Sequence, residues 1–226
     1  MKVDIIMRTK DRTLFLERAI KDVLAQSYKN WFLCIINDGG KSSDVDKLVK
    51  KYKSHAKQIK VIHHAKSKGM EAASNAGIKA TNGELVVIHD EDDTWHPDFL
   101  KKCVEKLQEP IGYGEVGGVV TKTQIIYEKL KDTKIKLVKK KLWYYHHDNK
   151  PCISITDVAK TNQFPPICWV FYRKCFEKIG YFNEAFPVHG DWEFLLRFMA
   201  NFDILFIEDV LAYYHIRIKG KGSSGN

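Results

Sequence analysis

Glu84-Leu85-Val86-Val87-Ile88-His89-Asp90-Glu91-Asp92-Asp93 is the stretch on which the reading of this chain turns. An apolar run of strand length ends abruptly in four consecutive acids. Adjacent carboxylates repel one another, so they take up protons unless a cation shares them. The tip of a strand is also where open α/β sheets place their ligands. The spacing Asp90-x-Asp92 suits a hard divalent cation, Mg²⁺ or Mn²⁺, held by one or two carboxylates and completed by substrate phosphates. In isolation the same four acids read equally well as a solvated loop before a helix, with Asp93 or Thr94 as its N-cap.

Outward from that stretch, strand and helix patterns alternate four times in the first 110 residues. Residues 3–7 form an apolar strand followed by a polar loop, Arg8 to Arg12, and Leu16, Ile20, Val23 and Leu24 then recur at helical spacing. Residues 31–36 are a second strand, closed by the turn signal Asn37-Asp38-Gly39-Gly40. A lysine-rich helix with Val45, Leu48, Val49 and Tyr52 on one face leads to a third strand, residues 59–63. Residues 69–80 predict a helix rich in small residues, able to pack closely on a sheet. A further helix starts at Pro97, with Phe99, Leu100, Cys103, Val104 and Leu107 inward. This alternation predicts a parallel, doubly wound sheet in which Asp38 and Asp90 to Asp93 face one crevice.

The second half is less regular. Residues 116–127 predict a long strand, 167–172 another, and 203–207 a last one, while Asp191 opens a helix with Phe194, Leu195, Phe198 and Met199 inward. Residues 128–150 are dense in lysine and aromatics, including Lys139-Lys140-Lys141-Leu142-Trp143-Tyr144-Tyr145-His146-His147. That composition fits a loop over an anionic ligand or an exposed β-hairpin, and less well a nucleic-acid surface. The Gly/Ser/Lys-rich tail 219–226 reads as flexible, an end at which a longer protein would continue.

The formal net charge of +9 comes mainly from lysine and suits an anionic partner. The five cysteines are scattered, with no C-x-x-C pair, so neither a zinc site nor a disulfide framework is indicated. No apolar run approaches membrane-spanning length, and residues 1–20 lack a secretory pattern, so the expected location is cytoplasmic. No Walker A sequence occurs and no G-x-G-x-x-G follows the first strand, which argues against a dehydrogenase or P-loop NTPase.

Taken in order, several segments resemble the family 2 glycosyltransferases with the GT-A fold. They are Val3 to Arg12, Leu24 to Trp31, Ile36-Asn37-Asp38-Gly39, Gly69 to Ile78, Asp90 to Pro97, Pro165-Pro166, Arg173, and Gly190-Asp191 to Arg197. The resemblance implies a single GT-A domain: a Rossmann-like, mostly parallel twisted sheet flanked by helices, with a smaller acceptor-side β region. Residues 1–110 would form the nucleotide-sugar donor half and 111–218 the acceptor and catalytic-base half. It also implies inverting transfer of a hexosyl or N-acetylhexosaminyl group from a nucleoside-diphosphate sugar to an acceptor hydroxyl. Asp191 aligns with the catalytic base; the family often has Glu-Asp here, where this chain has Gly190-Asp191. Asp92 and Asp90 align with the metal site, and His215 is a third candidate ligand or a diphosphate contact. Arg8, Thr9, Lys10, Asp38, Asp90 and Glu91 are expected at the donor, with Asp38 accepting the imide N–H of a uracil.

Departures from the family pattern are local. Arg8-Thr9-Lys10-Asp11 replaces the usual Pro-Thr-Tyr-Asn, which puts Lys10 where an aromatic often stacks on the base and leaves Arg8 to reach the diphosphate or pair with Asp38. Ser74 stands where an arginine is frequent. Arg217, Lys219 and Lys221 are candidates for a lid over the diphosphate. A UDP-sugar is the preferred donor. The acceptor is expected to be a glycan or lipid-linked hydroxyl in surface polysaccharide or capsule synthesis, with contact to the anionic inner face of the membrane and no nucleic-acid partner. Two alternatives stand beside this reading: a sugar-phosphate nucleotidyltransferase, and a non-catalytic glycan- or nucleic-acid-binding module on the same fold.

Overall fold

A computed structural model describes residues 1–110, 114–131, 134–143 and 153–218. Four parallel strands carry the first half: β1 (Val3–Thr9), β2 (Trp31–Asp38), β3 (Ile59–His64) and β4 (Leu85–Asp90), in spatial order β3-β2-β1-β4. Val3 lies opposite Trp31 on one side and Leu85 on the other, and Arg8 lies opposite Asp90. β1, β2 and β4 are buried almost throughout and largely apolar, as expected of strands covered on both faces, while the edge strand β3 carries Lys60, His63 and His64 and is mostly half-buried. The covering helices are α1 (Thr13–Ala25), α2 (Ser42–Lys50), α3 (Met70–Lys79) and α4 (Phe99–Gln108). In α1 the buried positions Phe15, Leu16, Ala19, Ile20 and Val23 make one stripe. In α3 a Cβ at Gly77 would sit 2.5 Å from Ile6 Cγ2, so glycine is what lets this helix lie against the sheet.

Beyond β4 the sheet continues through β8 (Trp169–Tyr172), β6 (Val116–Lys131), β9 (Asp203–Arg217) and the two-residue β5 (Thr94–Trp95), while β7 (Lys134–Leu142) hairpins onto β6. β8 runs antiparallel to β4 and β6, and β6 runs parallel to β9. Three short or medium helices complete the second half: α5 (Ile155–Lys160), α6 (Cys175–Ile179) and α7 (Gly190–Met199). Helix α7 packs through Phe194 and Phe198 around Trp169 and Phe171. The Trp169 and Phe198 ring centres are 4.7 Å apart, and Phe182 stacks on Phe194 at 4.2 Å. Each fully buried phenylalanine contributes roughly 1.5–3 kcal/mol by removing apolar area from water. This cluster anchors the helix that begins with Gly190 and Asp191.

One expectation changes at this level, and one pair of alternatives is decided. The last strand does not end at Ile207 but runs, with irregular register, to Arg217, so Arg217 is strand rather than lid. Of the lysine-rich segment, residues 134–142 are the outer strand of a hairpin. Tyr144 to His147 lies outside the described residues, as does the tail with Lys219 and Lys221. Among the described residues no helix is long and apolar enough to cross a membrane.

Candidate active site

The carboxyl ends of β1, β2 and β4 open into a cleft of about 590 Å³ lined by Arg8 to Arg12, Asp38, Ser67, Gly69, Met70, Ala73, Asp90 to Asp92 and Tyr214. The parallel register carries Asp38 and the acidic tip to the same end of the sheet, so the two converge as the strand pattern predicts.

Within the cleft, carboxylates and guanidinium groups interlock. Arg8 grips Asp90 with two parallel bonds, Nε to Oδ1 and Nη2 to Oδ2, both 2.7 Å. Its Nη1 donates to Ser74 Oγ at 3.3 Å and lies 3.5 Å from Glu71 Oε2. Burial works to lower the Arg8 pKa, but the Asp90 carboxylate, with help from Glu71 and Asp191, leaves it above its ordinary value. Arg8 therefore pairs with Asp90 rather than with Asp38, and its guanidinium fills the space beside Ser74. Arg12 Nη1 and Arg217 Nη2 both donate to Asp92 Oδ2, the former at 3.1 Å. Arg217 is buried over the Phe15 ring, 4.6 Å from its centre, and meets the cleft through its bond to Asp92.

Negative charge is nevertheless in excess. Glu91 is buried, with Arg12 Nη1 at 3.6 Å; burial and the charges of Asp92 and Asp90 push its pKa up to about 8. Asp93 is pushed up for the same reasons, although it accepts the His215 backbone N–H at 2.9 Å. Thr9 Oγ1 is buried with no hydrogen-bond partner, a free polar atom on a cleft-lining residue. Lys10 lines the same cleft from an exposed position.

Asp38 is not a free acceptor. Its carboxylate takes hydrogen bonds from His64 Nδ1 (2.7 Å), Ser67 Oγ (2.6 Å) and the backbone N–H groups of Lys68 and Gly69. Burial alone would raise its pKa, but the bonds from Ser67, His64 and the two amides leave it lowered. Asp38 holds the loop between β3 and α3 in place, and accepting a nucleobase N–H would require giving up one of those bonds.

His215 is also engaged. Its Nδ1 is 2.8 Å from Glu128 Oε2 and its Nε2 2.8 Å from Thr94 Oγ1. Burial lowers the His215 pKa despite the Glu128 hydrogen bond. Glu128 is held low, against its own burial, by His215 and by Arg18 at 2.9 Å. A neutral imidazole beside an ionised carboxylate donates from Nδ1 and accepts the threonine hydroxyl at Nε2, so a metal at Nε2 would have to displace that hydroxyl. The geometry gives His215 a structural role between β5, β6 and β9.

The remaining oxygen donors suit a hard cation. The charge excess at Glu91 and Asp93 is what a divalent ion relieves, and Asp92 with Asp90 would supply its protein ligands. Each would exchange a guanidinium contact for the ion. Among the described residues no group of three or more His, Cys, Asp or Glu is arranged to hold a metal, so substrate phosphates would have to complete the shell.

Asp191 sits in the first turn of α7 beside a small pocket shared with Phe164, Trp169, Phe182 and Leu195, and accepts from Asn162 Nδ2 at 3.3 Å. It does not line the large cleft. Glu71, which the sequence did not single out, forms the link between them. Its buried side chain accepts the Gly190 backbone N–H, and a Cβ on Gly190 would lie 2.2 Å from Glu71 Oε1. Burial raises the Glu71 pKa against the pull of Arg8, and the charges of Asp191 and Asp90 raise it further. A carboxyl group from α3 thus occupies the space that a side chain at position 190 would fill. The sequence signal was the pair itself: a glycine at 190 and an unexplained acid in a small-residue helix.

Arg173 lies elsewhere. It donates to Gly83 O (2.6 Å), Ile78 O (2.7 Å), Thr81 Oγ1 (2.9 Å) and the fully buried Asp4 Oδ2 (2.6 Å). Asp4 is near the start of β1, the opposite end from the cleft, so Arg173 staples the sheet and is not an acceptor contact.

A twisted α/β sheet with a polar, nucleotide-sized cleft at its strand ends is the architecture of the GT-A enzymes. The family model for Glycosyl transferase family 2 matches residues 4–180, and the chain belongs to that family. A curated relative, the uncharacterized glycosyltransferase YwdF of Bacillus subtilis, is 24 % identical over 204 residues, covering 90 % of this chain and 70 % of that one. Among solved structures, S. aureus TarS 1-349 in complex with UDP-GlcNAc superposes with a TM-score of 0.72 at 16 % identity, over 99 % of this chain and 60 % of that one. The mannosyltransferase PcManGT of Pyrobaculum calidifontis, in complex with GDP-Man and Mn²⁺, gives 0.70 at 17 % identity, over 97 % and 58 %. These likenesses establish the fold. The chain spans about three-fifths of those solved chains and from 10 % to 70 % of the first curated relatives.

Proposed function

We propose that this chain is the catalytic domain of a metal-dependent inverting glycosyltransferase that takes its sugar from a nucleoside-diphosphate donor. The observation that carries the reading is the convergence of Arg8, Thr9, Asp38 and the Asp90–Asp92 tip on one cleft at the strand ends. UDP-sugar and GDP-sugar complexes of the structural neighbours support a nucleotide sugar, and a UDP-sugar is the preferred donor. Mn²⁺ or Mg²⁺ held by Asp92 and Asp90 would neutralise the charge that develops on the departing diphosphate. Arg12 and Arg217, displaced from Asp92, would be placed to bind phosphate oxygens. Asp38 would act by ordering the loop under the base. Asp191 would take the proton of the acceptor hydroxyl as its oxygen bonds to the anomeric carbon and the bond to the diphosphate breaks. The acceptor would be a hydroxyl of a glycan or lipid-linked sugar, in surface polysaccharide synthesis.

Thermal unfolding with UDP and GDP, each with and without Mn²⁺, tests this. A nucleotide at about 100 times its Kd adds roughly 2.7 kcal/mol. UDP is expected to stabilise only with metal, Asp92→Asn to abolish the shift, and Asp191→Asn to keep the shift while losing transfer. No shift with any nucleotide and metal would refute the donor site. Release of pyrophosphate instead of a nucleoside diphosphate would mean a nucleotidyltransferase.

A further inference from the structure

The hairpin of β6 and β7 is a surface that the donor chemistry does not use. From Val116 to Glu128, β6 is flanked by β8 or β9; the last residue facing β9 is Glu128, opposite Arg217. Among the described residues, 129–131 pair only with β7, so the outer hairpin extends past the described body of the sheet. Residues 129–142 contain seven lysines, Lys129, Lys131, Lys134, Lys136 and Lys139 to Lys141, against one acid, Asp132. The lysines of β7 are exposed, and Lys139 lies over the Tyr127 ring at 4.4 Å, which keeps its charge on the hairpin face.

Lysine on an edge strand serves, at minimum, to prevent pairing with another chain. That role does not account for Leu137 and Val138, 52 % and 45 % exposed in the middle of the lysine run. Two bare aliphatic side chains flanked by cations match a bilayer interface, where headgroup phosphates meet the ammonium groups and the aliphatic groups leave water. A soluble polyanion would use the lysines and gain nothing from the leucine and valine.

We propose that residues 129–131 and β7 form a docking element for a membrane surface rich in anionic phospholipid. The element shares strand β6 with Glu128, whose side chain holds Arg18 and His215 beside the acidic tip. Docking would therefore set the cleft close to the lipid surface, within reach of a lipid-linked acceptor. The docking rests on this surface alone; delivery of the acceptor rests on the glycosyltransferase reading.

The test is co-sedimentation of the whole chain with phosphatidylcholine vesicles, with and without about one-third phosphatidylglycerol. Binding is expected only to the anionic vesicles and should weaken as salt rises. Lys136→Gln/Lys139→Gln/Lys140→Gln should lower the partition coefficient about a hundredfold, at about tenfold per 1.4 kcal/mol and about 1 kcal/mol per lysine. Leu137→Ser/Val138→Ser, which leaves the charge intact, should lower it about tenfold. Both variants should keep the metal-dependent UDP shift, so a failure of docking is separable from a failure of the donor site. The proposal is overturned if wild type ignores anionic vesicles or if the triple variant binds as well as wild type. It is also overturned if the Leu137/Val138 variant binds unchanged while soluble polyphosphate competes fully, which would make the hairpin a general polyanion site.

Discussion

Replacing Gly190 by alanine tests the contact that joins α3 to the start of α7. The new Cβ would lie 2.2 Å from Glu71 Oε1, 2.4 Å from Cγ and 2.6 Å from Cδ, more than 1 Å inside ordinary contact. A solvent-facing glutamate would swing aside at no cost. Glu71 is 4 % exposed, accepts the Gly190 N–H and pairs with Arg8, so moving it breaks both contacts. Overpacking of this kind costs about 1–3 kcal/mol. Removing a glycine from a helix returns up to about 1 kcal/mol, less in the first turn, so the net loss should be about 1–2 kcal/mol. Glu71→Ala alone should also destabilise, by opening a cavity and stripping Arg8 of one partner. In the double variant the new methyl group occupies the vacated space, so the two losses should fall short of additivity by about 1–2 kcal/mol. Urea unfolding of the four proteins measures this directly. Because Gly190 opens the helix that carries Asp191, Gly190→Ala should also lower kcat while leaving the UDP shift intact. Additivity within about 0.5 kcal/mol, or wild-type stability for Gly190→Ala, would refute the packed contact.

Arg173→Met leaves the buried Asp4 carboxylate without its cation and should cost about 3–5 kcal/mol in urea unfolding, with UDP affinity unchanged at temperatures where the variant is folded. The Glu91 carboxyl, raised from 4.5 to about 8 by burial and its acidic neighbours, binds its proton more tightly in the folded state. Its stabilising contribution is full below pH 4.5 and is lost as pH rises through about 8. With chelator present, the stability of wild type relative to Glu91→Gln should therefore fall steadily from pH 5 to about pH 8; a flat difference would contradict the assignment. Cys34, Cys103, Cys168 and Cys175 are buried, and burial pushes the Cys34 thiol to about 11 and those of Cys168 and Cys175 to about 12. A thiol reagent at pH 8 should leave all four unmodified in the native protein and reach them in urea, read by mass spectrometry.

Periodicity and turn chemistry made the first half legible along the chain, from the apolar β1 and β2 through the small-residue α3 to the acids closing β4. Those signals act over a few residues, through steric limits on the backbone and the pitch at which side chains repeat. The meeting of Asp38 with the acidic tip was legible too, because parallel strands deliver their carboxyl ends to one side. What each side chain does in the cleft was not. Arg8 is 82 residues from its partner Asp90, His215 87 residues from Glu128, and Arg173 169 residues from Asp4. Asp38, expected to face a nucleobase, is occupied by its own loop, and His215, expected near a metal, is filled by Glu128 and Thr94. Residue types alone specify how many hydrogen bonds a side chain can make. Which partners saturate it depends on which distant groups the packed core brings within 3 Å, a property of the whole sheet and its helices.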